Sequence, residues 1–203
     1  MKTELNSKDE RVTDFADIWE KLGGGDDNLV IRNEKLMAYL NSGGFFTAPA
    51  STKYHGAYEG GLYDHSRMVA MRLHVLTLNN GLKWQRPESP FIIGMFHDLC
   101  KCDQYKLVDG TEIDIGNGNT ITSVHGQHYE YDTNTLLKGH GAKSVMILSQ
   151  FINLTEEEML CIRYHMGAYE RDEWAEFDTA IRRFETCLWT HLADQLASKI
   201  DGA

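Results

Sequence analysis

The feature that constrains this chain most is an apolar run that ends in a histidine and an aspartate. Residues 91–96 read Phe-Ile-Ile-Gly-Met-Phe, and His97 and Asp98 follow directly. An imidazole and a carboxylate at the end of an apolar helix are costly to bury unless something pairs with them. Imidazole nitrogen and carboxylate oxygen are both good ligands for a divalent cation. The run therefore predicts a buried helix whose last residues contribute to a metal site.

Composition indicates an ordinary globular protein of mainly helical structure. The 203 residues are 42% apolar and 25% charged, which is typical of soluble domains. The three prolines fall between periodic segments, and no run approaches the roughly 20 apolar residues of a membrane span. The first residues lack the apolar core of a signal peptide. We expect a cytoplasmic protein with no membrane partner, consisting of a helical extension over 1–32 and one domain over 33–203.

Net charge and cysteine usage narrow the classes of partner. The formal charge of −10 argues against binding of long duplex nucleic acid, which relies on clustered lysine and arginine. It still allows a nucleotide or a short oligonucleotide held by a metal and a few cations. The four cysteines show no disulfide-framework spacing, so we expect thiols. Cys100 and Cys102 are predicted to fill apolar space, because their spacing is too short for a usual zinc knuckle.

Periodicity places helices along most of the chain, with one interruption. An amphipathic helix within 1–22 is expected to end at the glycines 23–25, and a broad apolar face begins a long helix near Leu62. Pro87 or Pro90 opens the helix that carries His97, and Thr155 with Glu158 forms a capping box. Further helices are expected over about 33–40, 141–151 and 178–200. Between them, 106–131 predicts a small β-ribbon with tight turns.

Five helical segments place further metal-binding residue types near helix ends. The candidate ligands are His65, His97, Asp98, His140, His165 and Asp194. Any one of these histidines alone is more often a hydrogen-bonded core or surface residue. Their recurrence on successive helices favours a common site. In that site His65, His97, Asp98 and Asp194 hold a first ion, and Asp98 bridges to a second ion held by His140 and His165.

The motifs around these residues carry a family resemblance. They are Gly60-Gly-Leu-Tyr-Asp-His65, Phe96-His-Asp-Leu-Cys-Lys101, Gly139-His-Gly-Ala-Lys-Ser144, Arg163-Tyr-His165 and His191-Leu-Ala-Asp194. Together they resemble the HD superfamily of metal-dependent phosphohydrolases. Residues 53–62 are similar to the stretch before the first metal histidine of bacterial 3′-to-5′ exoribonucleases. Those enzymes usually carry an OB-fold, for which no segment here is long enough, so the chain looks more like the stand-alone HD hydrolases of Firmicutes and their phages.

The resemblance implies a helical HD fold over 33–203 and hydrolysis of a phosphoester or phosphoanhydride. It assigns His65, His97, Asp98 and Asp194 to the metal common to the superfamily and matches His140 and His165 to the second ion. Asp98 and Lys101 are then the candidate catalytic residues, with Lys101 neutralising charge on the phosphate. A solvated lysine at a helix end is the alternative for Lys101. Mn²⁺ or Fe²⁺ is favoured, and Zn²⁺, Co²⁺, Ni²⁺ and Mg²⁺ stay open.

Several other residues are candidates for substrate binding. Lys53 and His55 lie in the loop before His65 and are cation or acid candidates, or else plain loop residues. Arg163 is suited to bidentate phosphate binding, although helical arginines usually reach to water. His191 is either a substrate contact, a partner of a ligand or a core residue. Tyrosines that could stack on a base, or simply pack, are Tyr54, Tyr58, Tyr105, Tyr129 and Tyr131.

The sequence leaves more than one function open. The leading hypothesis is a binuclear phosphohydrolase for a nucleotide, a cyclic nucleotide or a short oligonucleotide. A 3′-to-5′ exonuclease on short single strands is the alternative within the same chemistry. A non-catalytic nucleotide sensor and a di-iron oxygenase are alternatives from other classes, and the complete ligand set with Lys101 disfavours both. Self-association and the role of the ribbon stay open.

Overall fold

The computed structural model describes residues 5–20, 30, 32–110, 112–114, 120–122, 126–135, 137, 139–168 and 173–202. It is a mainly α fold with a small β-ribbon, as expected. The helices in the described part are α1 (Lys8–Ile18), α2 (Glu34–Ser42), α3 (Gly61–Asn80), α4 (Ser89–Phe96), α5 (Gly141–Leu148), α6 (Glu156–Arg163), α7 (Trp174–Arg183) and α8 (Thr186–Gln195). A 3₁₀ helix (Leu99–Asp103) follows α4, and a π-helical turn (Leu196–Asp201) extends α8. None of the described helices is long and apolar enough to span a lipid bilayer.

Helix starts follow the capping chemistry of the sequence. The Thr155 side chain accepts from the Glu158 backbone N–H, and the Glu158 carboxylate accepts from the Thr155 backbone N–H, so the capping box of α6 is confirmed. Pro90 lies in the first turn of α4, where its missing N–H costs no helical hydrogen bond. Asn33 caps α2 through its side chain and also donates to the Phe151 carbonyl oxygen.

The core is centred on aromatic rings contributed by α1, α3, α4 and the loop after α2. They are Phe15, Trp19, Phe45, Phe46, Tyr63 and Phe96. Burial of each such side chain stabilises the fold by about 1.5–3 kcal/mol. Helix α1 therefore packs onto the same core as the helices behind it, and the division at residue 32 stays a prediction. Leu22 and the glycines 23–25 lie outside the described residues.

The apolar face of α3 is only partly buried. Val69 and Leu73 are fully buried and Leu76 packs against the core, whereas Val75 and Leu78 are 43% and 68% exposed. The broad apolar face predicted for this helix therefore includes residues that the fold leaves in solvent.

The single helix expected over 178–200 is two helices. Phe184 has extended backbone (φ −136°, ψ 102°) and ends α7, and α8 begins two residues later. Neither a glycine nor a proline marks this break, so the usual signals of a helix end gave no warning. The helix expected to include His165 likewise ends earlier, at Arg163.

The ribbon consists of two antiparallel strand pairs. β1 (Tyr105–Val108) pairs with β4 (His128–Tyr131), and β2 (Glu112–Asp114) pairs with β3 (Thr120–Thr122). β1 directly follows the 3₁₀ helix and contacts it. The expected ribbon over 106–131 is confirmed, and it is attached to the body of the protein at the segment that carries Asp98 and Lys101.

Candidate metal centre

Six helical elements bring the six predicted ligands together. Four of these residues lie at helix termini, and two lie within helices. His65 is in the first turns of α3, His97 ends α4, Asp98 precedes the 3₁₀ helix, His140 precedes α5, His165 follows α6, and Asp194 is in α8. Five of the six are buried, and the sixth, His140, is half-buried. Residues that are far apart in the sequence thus form one cluster in the fold.

Two glycines permit the close helix contacts that this convergence requires. A Cβ atom at Gly94 would lie 2.3 Å from the Cα atom of Ala70, so α4 crosses α3 nearly backbone to backbone. A Cβ atom at Gly141 would lie 2.3 Å from the Arg163 carbonyl oxygen. The second contact joins the start of α5 to the end of α6, and it therefore brings His140 next to His165.

Asp98 is the centre of the cluster, and its two oxygens face different groups of ligands. Oδ2 lies 3.3 Å from His97 Nε2 and 3.6 Å from His65 Nε2. Oδ1 lies 2.8 Å from His140 Nε2 and 3.4 Å from His165 Nε2. The potential ligands accordingly form two overlapping groups that share Asp98, one with His65 and His97 and the other with His140 and His165.

Asp194 adds a second carboxylate next to the first group. Its Oδ1 atom lies 3.1 Å from His65 Nε2, and the Nε2 atoms of His65 and His97 are 3.2 Å apart. Two imidazoles and two carboxylates surround this point. That donor set suits a borderline or hard divalent metal ion.

Backbone carbonyls fix the orientation of two of the imidazole rings. His97 Nδ1 lies 2.9 Å from the Gly94 carbonyl oxygen, and His165 Nδ1 lies 2.7 Å from the Ile162 carbonyl oxygen. Because a carbonyl oxygen only accepts, each Nδ1 carries the hydrogen and donates it. Each Nε2 then presents a lone pair to the cluster, which is the usual arrangement of a metal-binding histidine.

The cluster has buried acceptor atoms that no protein donor satisfies. Asp98 Oδ1, His140 Nε2 and His165 Nε2 are buried, and none of them makes a hydrogen bond within the structure. Leaving such atoms unpaired costs about 1–3 kcal/mol each, and their convergence on one point is what a cation relieves. These buried histidines and aspartates can therefore hold a divalent metal ion.

The protonation states also fit a metal site. Burial would raise the pKa of Asp98, but Lys101 and the imidazoles of His97 and His140 hold it well below its ordinary value. Burial opposes ionisation of Asp194 too, and His65 brings that pKa below the usual range. Burial lowers the pKa of His97. An ionised carboxylate and a neutral imidazole are the forms that bind metals, so the states of Asp98, Asp194 and His97 suit a metal site.

Lys101 is placed beside the cluster rather than in solvent. Its Nζ atom lies 2.7 Å from Asp98 Oδ2, and its side chain is 9% exposed. Burial would lower the pKa of this ammonium, but Asp98 raises it, so Lys101 stays charged. The alternative of a solvated lysine at a helix end does not hold.

The loop before α3 places one of its two candidates at the site. The His55 ring centroid lies 5.0 Å from that of His65, and burial, followed by His65 and Lys101, lowers the pKa of His55 to about 4. Lys53 is exposed on the same loop. A substrate role for Lys53 or His55 stays a prediction, and only His55 contacts a ligand side chain.

Arg163 and His191 have structural partners. The Arg163 guanidinium donates to Glu173 Oε1 at 2.6 Å and lies over the Tyr164 ring, so the existing ion pair would compete with a phosphate for it. His191 Nδ1 lies 2.8 Å from the carbonyl oxygen of His165. His191 therefore supports the backbone of a ligand, which is one of the roles considered from sequence.

Residues that position the site without touching it were missed in the sequence. The Ser144 hydroxyl accepts from the Cys100 backbone N–H at 3.0 Å, and Lys143 pairs with Asp103. Both contacts fasten α5 to the 3₁₀ helix. The only signal was their position just after His140. The four cysteines are free thiols, and burial raises the pKa of Cys100 to about 12, so this thiol is not a ready metal ligand.

Comparisons with protein-family models, curated proteins and solved structures found no match to this chain.

Proposed function

We propose that this protein is a divalent-metal-dependent phosphohydrolase of the HD type that acts on nucleotides, cyclic nucleotides or short oligonucleotides. One observation carries the proposal. Two ligand groups share Asp98, three of their buried acceptor atoms lack a hydrogen bond, and the Lys101 ammonium lies against the shared carboxylate. Mn²⁺ and Fe²⁺ are the favoured ions, with Zn²⁺, Co²⁺, Ni²⁺ and Mg²⁺ as alternatives, and the expected setting is the cytoplasm.

In the proposed chemistry a metal would activate water, and residues of the chain would position the metal. One or two ions held here would lower the pKa of a bound water and would place positive charge beside the phosphoryl oxygens. Asp98 directs one carboxylate oxygen toward each ligand group, so it fixes the distance between them. His97 and His165 keep their Nε2 lone pairs aimed inward through their carbonyl partners.

Lys101 supports a phosphate as the group that reacts. Its buried ammonium adds a fixed positive charge beside the metal groups, and such a charge stabilises negative charge that develops on phosphoryl oxygens. The complete ligand set together with this cation disfavours an oxygenase and a sensor without turnover. A 3′-to-5′ exonuclease on short single strands uses the same chemistry and is the alternative substrate assignment.

The test is a hydrolysis screen on metal-loaded protein. Elemental analysis first establishes loading, and nucleotides, cyclic nucleotides and short oligonucleotides are then offered with each metal. We expect release of phosphate or a nucleotide, and we expect Asp98→Ala to abolish both metal binding and turnover. Asp14→Ala is the matched control, because Asp14 is a partly buried aspartate that pairs with Arg67 outside the site. Absence of turnover on every phosphoester at full loading would refute the enzyme proposal.

A further inference from the structure

One face of the β1–β4 strand pair is aromatic. Tyr105 pairs with Tyr131 and Leu107 pairs with Tyr129, and residues two apart on a strand share a face. The opposite face carries Lys106 and its partner Glu130, together with Val108 and its partner His128. We call the face of Tyr105, Leu107, Tyr129 and Tyr131 the aromatic face. Its two outer residues, Leu107 and Tyr131, are 50% and 61% exposed.

The aromatic face begins at the metal centre. Tyr105 comes four residues after Lys101, and β1 contacts the 3₁₀ helix that carries this lysine. The Asp132 backbone N–H donates to the Gln104 carbonyl oxygen at 2.9 Å and fastens the far strand at the same point. Burial raises the pKa of Tyr105, with further contributions from Tyr131 and from the charge on Asp98. The base of the aromatic face is therefore joined to the 3₁₀ helix that carries Lys101.

The chemistry of this face selects a flat, uncharged ring. The Tyr105 and Tyr131 centroids are 5.1 Å apart with planes inclined by 60°, and the outer ring leaves much of its surface to solvent. Aromatic side chains of this kind stack on nucleobases with little preference for their sequence. Since Lys101 supplies a positive charge beside Asp98 and the face supplies rings, the two together match a phosphate joined to a base.

We propose that the aromatic face is a ring-binding subsite that holds the nucleobase of a phosphoester whose phosphate lies at the metal centre. The subsite rests on the proposed phosphohydrolase function, and it names the substrate class as esters that carry a planar ring. Tyr131 provides the main stacking surface, and Tyr105 supports it from the side of Asp98.

Binding without turnover tests the subsite separately from the reaction. The probes are a nucleoside phosphonate, in which a P–C bond replaces the cleavable P–O bond, and the matching ribose phosphonate without a base. Calorimetric titration of metal-loaded protein is expected to show tighter binding of the base-bearing probe. Tyr131→Leu should weaken that probe about 5- to 150-fold and leave the base-free probe unchanged, whereas Tyr131→Phe should retain binding.

Trp174→Leu is the matched control, since Trp174 is an aromatic residue that is 64% exposed and belongs to α7 rather than to the ribbon. It should change neither probe. Equal loss in Tyr131→Leu and Tyr131→Phe, equal affinity of the two probes, or a Tyr131→Leu effect confined to the oligomeric state would overturn the subsite. Base-dependent binding without hydrolysis of any ester would refute the phosphohydrolase function and leave the subsite standing as a binding site.

Discussion

Two buried polar clusters in this protein are built on opposite principles. In the glutamate network, formed by Glu157 and Glu158 at the start of α6, every carboxylate oxygen has a donor. Glu158 accepts from Arg86, from the Ser89 hydroxyl and from the Thr155 backbone N–H. In the metal centre Lys101 pairs with one oxygen of Asp98, but Asp98 Oδ1, His140 Nε2 and His165 Nε2 are buried without a hydrogen bond.

The difference distinguishes buried polar groups that stabilise the fold from buried polar groups that are available to bind a ligand. In a satisfied network, hydrogen bonds from donors within the chain offset the free-energy cost of removing the charges from water. The metal centre leaves buried polar atoms without donors inside the chain, and a bound cation can supply what is missing. Residues of the first cluster should therefore matter for stability, and residues of the second should matter for metal binding.

The largest expected effect comes from removing a ligand of the second group. His140→Ala should eliminate or strongly weaken one of two bound ions and leave the ion at His65 and His97 in place, because Asp98 still serves the first group. Elemental stoichiometry and metal titration measure this. His128→Ala is the control, because the His128 side chain is 31% exposed, close to the 29% of His140, and His128 is not one of the candidate ligands. Retention of two ions in His140→Ala would show that the division into groups is wrong.

The glutamate network should respond in the reverse way. Glu158→Ala removes a fully buried partner of Arg86 and should lower the free energy of unfolding by about 3–5 kcal/mol. Urea unfolding measures the loss, and the number of bound ions should not change. Glu156→Ala on the same helix removes an exposed ion pair with Arg183, and its cost should stay below about 1 kcal/mol. Similar losses in both variants would contradict the assignment.

Metal removal should lower stability without unfolding the protein. An ion at 100 times its Kd adds about 2.7 kcal/mol to the free energy of unfolding, which corresponds to roughly 5–11 °C in Tm for a chain of this size. The aromatic core has no part in the metal centre, so chelated protein should still unfold cooperatively. Thermal unfolding with and without chelator measures the shift. An unchanged Tm after verified metal removal would argue against a ligand-completed cluster.

The smallest effect is expected at a residue that only supports a ligand. His191→Phe removes the hydrogen bond to the His165 carbonyl oxygen and should weaken metal binding about tenfold, the lower end for such partners. Competition with a chelating dye gives the affinity. His74→Phe is the control, because His74 is half-buried against Phe91 on the far part of α3. Equal metal affinities in His191→Phe and the wild type would assign His191 to packing alone.

Local signals in the sequence predicted much of this molecule. The capping box at Thr155, the proline in the first turn of α4 and the turns of the ribbon each depend on a few neighbouring residues. The six ligands were found because each belongs to a short motif at a helix end. Histidines and carboxylates at such places are conspicuous in the sequence, and the structure brings all six together.

Other features depend on contacts between distant segments. The pairing of Arg86 with Glu158 spans 72 residues, and the sequence around neither residue predicts it. The exposure of Val75 and Leu78 depends on how far the neighbouring helices reach along α3. The break at Phe184 and the commitment of Arg163 to Glu173 are likewise set by packing between helices rather than by their own sequence.

The most direct test of the metal centre is a titration of chelator-treated protein with Mn²⁺, followed by calorimetry. The wild type and Glu158→Gln should both take up one or two ions per chain, whereas Asp98→Asn, which keeps the shape of the side chain and removes its charge, should take up none. Absence of uptake by the folded wild type, or equal uptake by Asp98→Asn, would contradict the assignment of this cluster to a metal.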